Sequence, residues 1–327
     1  MAGPLDAHAK PPDFIRQVYK HYQKLNPRAV DQDDGVIDTL NLQNSSHATP
    51  SSLLHLSAEI RQTFAGFAGC QIDQADVPQI YSINAVPGLF VYPSLFPQEV
   101  QLQILAKSFH RDLSNEDHQT NVHMFHGVTY PPGHRSYFDE QAKNLSFEPR
   151  DPTVHKSITT QQYLTKKLRW MTLGGQYDWT NKVYPDGPPP PFPPDIKRLI
   201  EDIFPMKAEA AIVNLYSPGD TLSLHRDVSE ECNQPLVSIS LGCDGIFTIG
   251  LDGEEQDGIP KVATLRLRSG DAVLMSGESR YAWHSVPKVL EGTCPEWMQN
   301  WPGDEYEEWK GWMERKRINL NVRQMFD

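Results

Sequence analysis

The chain has 327 residues, 39% of them hydrophobic, and a formal net charge of −12 at pH 7. That length suits one large domain or two small ones. No apolar run approaches the roughly 18 residues of a membrane span, so no membrane partner is expected. The acid excess argues against a protein that coats nucleic acid through its total charge, although local patches weigh more than the sum.

The N-terminal run MAGPLDAHAKPPDFIRQVYKHY lacks the apolar stretch of a secretory signal. Asp6 and Asp13 disfavour a mitochondrial transit peptide, so a cytoplasmic or nuclear location is expected. Cys70, Cys232, Cys243 and Cys294 are scattered without a C-x-x-C pair, which suits a reducing compartment.

Residues 1–85 read as an N-terminal extension with one amphipathic helix, because Phe14, Val18, Tyr22 and Leu25 recur at helical spacing. The polar, turn-rich run DQDDGVIDTLNLQNSSHATPSS follows as an ordered loop or a linker. A domain over 86–327 comes next. It opens with a predicted strand in GLFVYPSLF and a predicted helix in FPQEVQLQILAKSFH, where Pro97 marks the start. Residues 118–192 are polar, aromatic and loop-rich, and end in the stiff run PDGPPPPFPP. The segment PPDIKRLIEDIF predicts a helix with Ile196, Leu199, Ile200 and Ile203 on one face.

From Ala210 the pattern changes to short β runs separated by Gly, Asp and Pro: AAIVNLYS, TLSLHRD, LVSISLG, GIFTIG, VATLRLR, DAVLMS, YAWHSV and RINLNVRQM. Such a series predicts a β-sandwich or barrel whose inward positions form a site. The expected fold class is therefore mainly β (α+β), with a jelly-roll core and flanking N-terminal helices.

Three clusters carry chemistry. In His225-Arg226-Asp227, a strand would aim residues i and i+2 at one face, placing an imidazole beside a carboxylate. His284 in SRYAWHSV supplies a second imidazole from a later strand; alone it would pass for a core histidine. Two histidines and one carboxylate form a facial triad that leaves metal positions open, as Fe(II) oxygenases require. Zinc also accepts three ligands and a water, so these residues do not by themselves fix the metal.

The third cluster is the final strand, where Arg317, Asn319, Asn321 and Arg323 share one face and Ile318, Leu320 and Val322 the other. That polar face is either a solvated edge or the lining of a dicarboxylate site, since Arg pairs bidentately with carboxylates. Asn is depleted in strands, so two of them here need a reason. Asn214 and Tyr216 share a face in AAIVNLYS in the same way.

The runs NLYSPGDTLSLHRD, PLVSISLG, LRSGDAVLMSGESRYAWH and RINLNVRQ resemble the AlkB family of Fe(II)/2-oxoglutarate dioxygenases over roughly residues 84–327. The segment DDGVIDTLNL and the H-x-D-x-S-E run are most similar to its eukaryotic AlkB-homologue-1 branch. The resemblance implies a double-stranded β-helix with a substrate-recognition lid at about 118–192. It implies that Fe(II) is held by His225, Asp227 and His284, and that 2-oxoglutarate is met by Arg317, with Asn214, Tyr216, Asn319 and Arg323 as further contacts. Within WMTLGGQYDWTNKVY it places Trp179 at a base-stacking position, with Tyr184 assisting. Ser229 departs from the bacterial pattern, which has an acidic residue near the base, so base selectivity does not carry over.

The activity implied is oxidative demethylation of N-methylated bases in RNA or DNA, releasing formaldehyde, succinate and CO2, by a monomer. Lys166, Lys167 and Arg169 are candidate phosphate contacts or a solvated face. One alternative is the same chemistry on a histone-like protein or a small molecule. The prolyl-hydroxylase pattern is not met, because the acidic run LEGTCPEW stands where its co-substrate cation would follow the distal histidine. A non-catalytic barrel is a second alternative. A zinc site at His118, His123 and His126 is a third, against which solvated histidines are expected. Replacing Trp179 by Ala should weaken oligonucleotide binding more than 2-oxoglutarate binding, both measured by titration; an unchanged oligonucleotide affinity removes Trp179 from the base contact.

Overall fold

The computed structural model describes residues 6, 8–53, 58–72, 79–178, 183–185, 187–253 and 261–326. The segment before residue 86 holds helices α1 (Asp13–Lys24), α2 (Pro27–Val30) and α3 (Ala58–Ala68). It also holds strands β1 (Val36–Asp38), β2 (Ala48–Leu53) and β3 (Gln79–Ile83). Next come β4 (Leu89–Tyr92) and α4 (Gln98–Ala106). A stretch of short 3-10 turns then carries β5 (Ser146–Phe147), β6 (Ile158–Thr159), α5 (Thr160–Gln162) and β7 (Trp170–Gly174).

Helix α6 (Pro194–Glu201), with Ile196, Leu199 and Ile200 buried as its spacing requires, leads into the β-rich part. All eight β runs read from the sequence are strands: β8 (Ala210–Tyr216), β9 (Leu222–His225), β10 (Leu236–Gly242), β11 (Gly245–Gly250), β12 (Val262–Leu267), β13 (Ala272–Met275), β14 (Trp283–Val289) and β15 (Arg317–Arg323).

The strands form two principal sheets. The larger is antiparallel throughout, in the order β2-β3-β4-β13-β10-β15-β8-β7. The smaller runs β1-β12-β11-β14-β9, with only the β1–β12 pair parallel. This is the expected jelly roll, with α3, α4 and α6 among its flanking helices. Strand β15 is central rather than an edge, paired with β10 on one side and β8 on the other. Both its faces are therefore buried: Ile318, Leu320 and Val322 join the hydrophobic core, and the polar face is enclosed too. No described helix is long and apolar enough to cross a membrane.

The N-terminal segment is built into this frame. The run expected as loop or linker supplies β1 to the smaller sheet and part of β2 to the larger. Helix α1 buries Ile15 and Tyr22, with Val18 packed beside them, so its apolar stripe is centred one residue past Phe14. Ile15 lies over Gly250 of β11, where an added Cβ would stand 2.9 Å from the isoleucine Cδ1. Tyr22 and Val30 cluster with Ile246 and Leu290. Ile15→Ala removes a fully buried side chain at this contact and should cost about 2–5 kcal/mol of stability. Chemical denaturation measures this; an unshifted midpoint would mean that α1 adds nothing to the barrel.

Candidate active site

The short strand β9 lies antiparallel to β14 with His225 directly opposite His284. Their rings are 4.3 Å apart, centroid to centroid. Strand β9 stops at His225, so Asp227 sits on the loop beyond it rather than two residues along a strand. The two side chains converge nonetheless. Asp227 Oδ1 lies 3.9 Å from His225 Nε2, and Oδ2 lies 3.7 Å from His284 Nε2. One ligand atom from each of the three residues falls within 4.8 Å of the others, and no other such trio occurs among the described residues.

Backbone carbonyls set the histidine tautomers. His225 Nδ1 is 2.9 Å from Ser223 O, and His284 Nδ1 is 3.0 Å from Ala282 O. A carbonyl only accepts, so each Nδ1 carries a proton and Nε2 is the nitrogen that each ring turns towards Asp227. Burial and the neighbouring His225 lower the His284 pKa to about 4, which keeps it neutral and able to ligate near neutral pH. Burial alone would raise the Asp227 pKa, yet Arg323, His284 and His225 together hold it well below the usual carboxylate range. Arg323 Nη2 donates to Asp227 Oδ2 at 2.8 Å.

Behind the triad lies a narrow chamber of about 20 Å³. Ser238, Arg317, Asn319 and Asn321 give it polarity; Met275, Phe247 and Leu222 give it apolar walls. The cross-strand register builds it, pairing Ser240 with Asn319, Ser238 with Asn321 and Arg317 with Tyr216. Arg317 is 1% exposed. Its Nη2 donates to Ser240 Oγ at 2.9 Å, while Nε and Nη1 have no hydrogen-bond partner among the described residues. Asn319 donates to Ser238 Oγ at 2.7 Å, and the Tyr216 hydroxyl and Asn321 Oδ1 are buried without partners. Asp244, a nearby carboxylate, is already bound by Arg266 Nε at 2.8 Å and Arg268 Nη1 at 3.0 Å. Gly245, which the sequence reading passed over, makes room for this arginine: a Cβ there would lie 2.4 Å from Arg317 Nε.

In front of the triad a wider cavity of about 380 Å³ is lined by Asn214, His225, Asp227, Arg323, Ser229 and Tyr177, among others. Asn214 thus lines this cavity, on the same face of β8 as Tyr216 and paired with Asn319 of β15. Tyr177 was also not singled out from the sequence. Its hydroxyl is 3.2 Å from Ser229 Oγ, and its ring meets Tyr184 edge-on at 5.3 Å. The Tyr184 hydroxyl donates to Glu230 Oε1 at 3.2 Å, so this side chain backs the cavity instead of lining it. Trp179 lies outside the described residues. Lys166 and Lys167 are exposed, and Arg169 is ion-paired with Asp220.

The three histidines weighed as a zinc site are structural, and not the solvated residues expected. His118 Nδ1 donates to Asp112 O at 2.9 Å, and His126 Nε2 donates to Lys156 O at 3.0 Å. His123 Nδ1 accepts from Thr120 N at 2.9 Å and closes a capping box.

Residues 121–323 match the 2OG-Fe(II) oxygenase superfamily. The chain is 46% identical to the N6-methyladenosine RNA demethylase ALKB1 of Pyricularia oryzae, over 98% of both chains. It is 51% identical to the N6-methyladenosine RNA demethylase ALKBH of Cryphonectria parasitica, over 67% of this chain and 98% of that one. It is 39% identical to the tRNA demethylase abh1 of Schizosaccharomyces pombe, over 76% and 82% respectively.

Members of that superfamily use Fe(II) and 2-oxoglutarate, and the residues present fit both. The triad offers two imidazole nitrogens, that of His284 kept neutral by burial, and a carboxylate held ionised. The half-partnered Arg317 offers a buried cation to a carboxylate. Gly245→Ala should push Arg317 off this position and weaken 2-oxoglutarate binding on the order of tenfold, equivalent to about 1.4 kcal/mol. Calorimetric titration of the metal-loaded protein checks it; wild-type affinity would separate Arg317 from the co-substrate.

Proposed function

We propose that this chain, which belongs to the 2OG-Fe(II) oxygenase superfamily and is a 2-oxoglutarate-dependent dioxygenase of the AlkB-homologue-1 type, demethylates N-methylated bases in nucleic acid. The observation that carries the reading is the cavity in front of the triad. Its size falls in the range of about 300–1,000 Å³ typical of pockets that enclose one small ligand, and it opens directly on His225 and Asp227. A single base extruded from its strand suits such a pocket better than a folded surface does. The names of the relatives agree: all three described above are RNA demethylases.

His225 Nε2, Asp227 and His284 Nε2 would hold Fe(II), and Arg317 would anchor the far carboxylate of 2-oxoglutarate. Asn319 and Tyr216 would complete that end of the site, while Arg323 pairs with Asp227 at the metal end. Bound there, Fe(II) and 2-oxoglutarate would supply the oxidation with O2 as the oxidant: one oxygen atom would end in succinate as 2-oxoglutarate loses CO2, and the other in the N-methyl group as a hydroxyl. The hydroxymethyl product then loses formaldehyde.

The chain's own work is to position and to exclude. The Nδ1 bonds keep both imidazoles in the ligating tautomer. Phe247, Met275 and Leu222 keep the chamber apolar around its polar contacts. Tyr177 and Ser229 form the wall of the outer cavity that a base would meet, backed by Tyr184. The family resemblance gives Trp179 a base-stacking role.

Among the described residues lining this pocket the two acids, Asp227 and Glu230, are paired with Arg323 and Arg280, so the overall charge of −12 is not concentrated there. The deciding experiment measures formaldehyde and succinate together. Its substrates are RNA and DNA carrying N6-methyladenine, methylated tRNA and a methylated histone peptide. Equimolar formaldehyde and succinate from a nucleic acid is the expected result; product from the peptide alone would overturn the assignment.

A further inference from the structure

We propose that Glu230 is a positioning residue that couples the hairpin bearing Tyr177 and Tyr184 to the metal-binding carboxylate of Asp227. The side chain of Glu230 is 3% exposed and stands at the centre of three groups. Its Oε2 accepts from Arg280 Nη2 at 2.9 Å. Its Oε1 accepts from the Tyr184 hydroxyl at 3.2 Å and lies 3.3 Å from Arg323 Nε. Arg323 in turn donates from Nη2 to Asp227 Oδ2, the oxygen nearest His284 Nε2. An unbroken chain of polar contacts thus runs from Tyr184 through Glu230 and Arg323 to a metal ligand.

The same glutamate steadies the ligand loop from behind. Arg280, 1% exposed, donates from Nη1 to Asp227 O and from Nε to Gln234 O, each at 2.9 Å. The loop that carries Asp227 and Glu230 is therefore pinned at both ends by one guanidinium, and Glu230 is that guanidinium's anion.

Charge makes the arrangement sensitive to Glu230. Two carboxylates and two guanidiniums share a space nearly closed to water, where each charge depends on its partner. Without the Glu230 charge, Arg323 has Asp227 as its remaining anion and competes with a cation for the same oxygens. Second partners of this kind set the strength of the ligands they orient.

The hairpin is the other end of the linkage. It is closed by Asp178 N donating to Val183 O at 2.9 Å. It rests on the ligand loop through the Tyr177–Ser229 and Tyr184–Glu230 contacts. Since Tyr177 lines the outer cavity, a group entering there meets the element that bears on Glu230. This last step rests on the substrate reading above, whereas the link from Tyr184 to Asp227 requires only the metal site.

The test is a double-mutant cycle on Mn(II) affinity, by calorimetry of the full chain without nucleic acid, with melting temperatures in parallel. Glu230→Gln should weaken Mn(II) binding by about tenfold, and Tyr184→Phe by a smaller factor. The two effects should be non-additive, with Tyr184→Phe silent in the Glu230→Gln background. A lowered melting temperature at unchanged Mn(II) affinity, or strict additivity, would overturn the coupling. If Glu230→Gln does not fold, Tyr184→Phe alone decides: weaker Mn(II) binding at wild-type melting temperature supports the coupling, and unchanged binding overturns it. A wild-type chain that binds no Mn(II) would overturn the metal site itself, and the coupling with it.

Discussion

A guanidinium taken out of water needs an anion or a full set of acceptors, because an uncompensated buried charge costs several kcal/mol. Arg317 has neither. It is enclosed between the two sheets, bonded through one nitrogen to Ser240, with two nitrogens unpartnered. Burial lowers its pKa from the ordinary arginine value. The nearby carboxylate of Asp244 is spent on Arg266 and Arg268. Gly245 has given up its side chain to let the arginine in. So costly an arrangement makes sense if a carboxylate arrives from outside, and the opening it arrives through is the side where His225, Asp227 and His284 converge.

Strand β15 ties this demand to the metal ligands. It begins at Arg317 and ends at Arg323, which binds Asp227. In the proposed site the two ends of one polar face would serve two parts, Arg317 the diacid and Arg323 the carboxylate of the metal triad. Between them Asn319 bonds to Ser238 across the β10 register. Pairing with β8 on one side and β10 on the other removes any freedom to slip, since a shift of one residue would put Ile318, Leu320 and Val322 into the chamber. Pairing on both sides of β15 fixes the spacing between Arg317 and Arg323.

Much of this was legible in the residue order. Alternation in RINLNVRQ and LVSISLG identified the strands and the shared polar face, and two asparagines in one strand marked that face as something other than a solvated edge. The histidines and aspartate were legible as a set. The strand end at His225 was not, because Asp227 is held by Arg280 and Arg323, contacts made across more than 50 and 90 residues of chain. Gly245 was invisible for the same reason: its role is a close approach by a residue from a distant strand. The N-terminal run looked like a linker because three-residue β1 is too short to show alternation, and its pairing with β12 is parallel and non-local. His118, His123 and His126 looked solvated because their partners are backbone atoms and a cap, which composition does not reveal.

The claim on which the rest stands is that one interior site holds a metal at the triad and a diacid at Arg317. Crystals grown with Mn(II) and an unreactive diacid analogue of 2-oxoglutarate would test it by anomalous diffraction. The account predicts one strong peak within bonding distance of His225 Nε2, Asp227 and His284 Nε2, and the far carboxylate of the analogue on Arg317 Nε and Nη1. A peak elsewhere, or an analogue carboxylate that leaves those two nitrogens unpartnered, would contradict it.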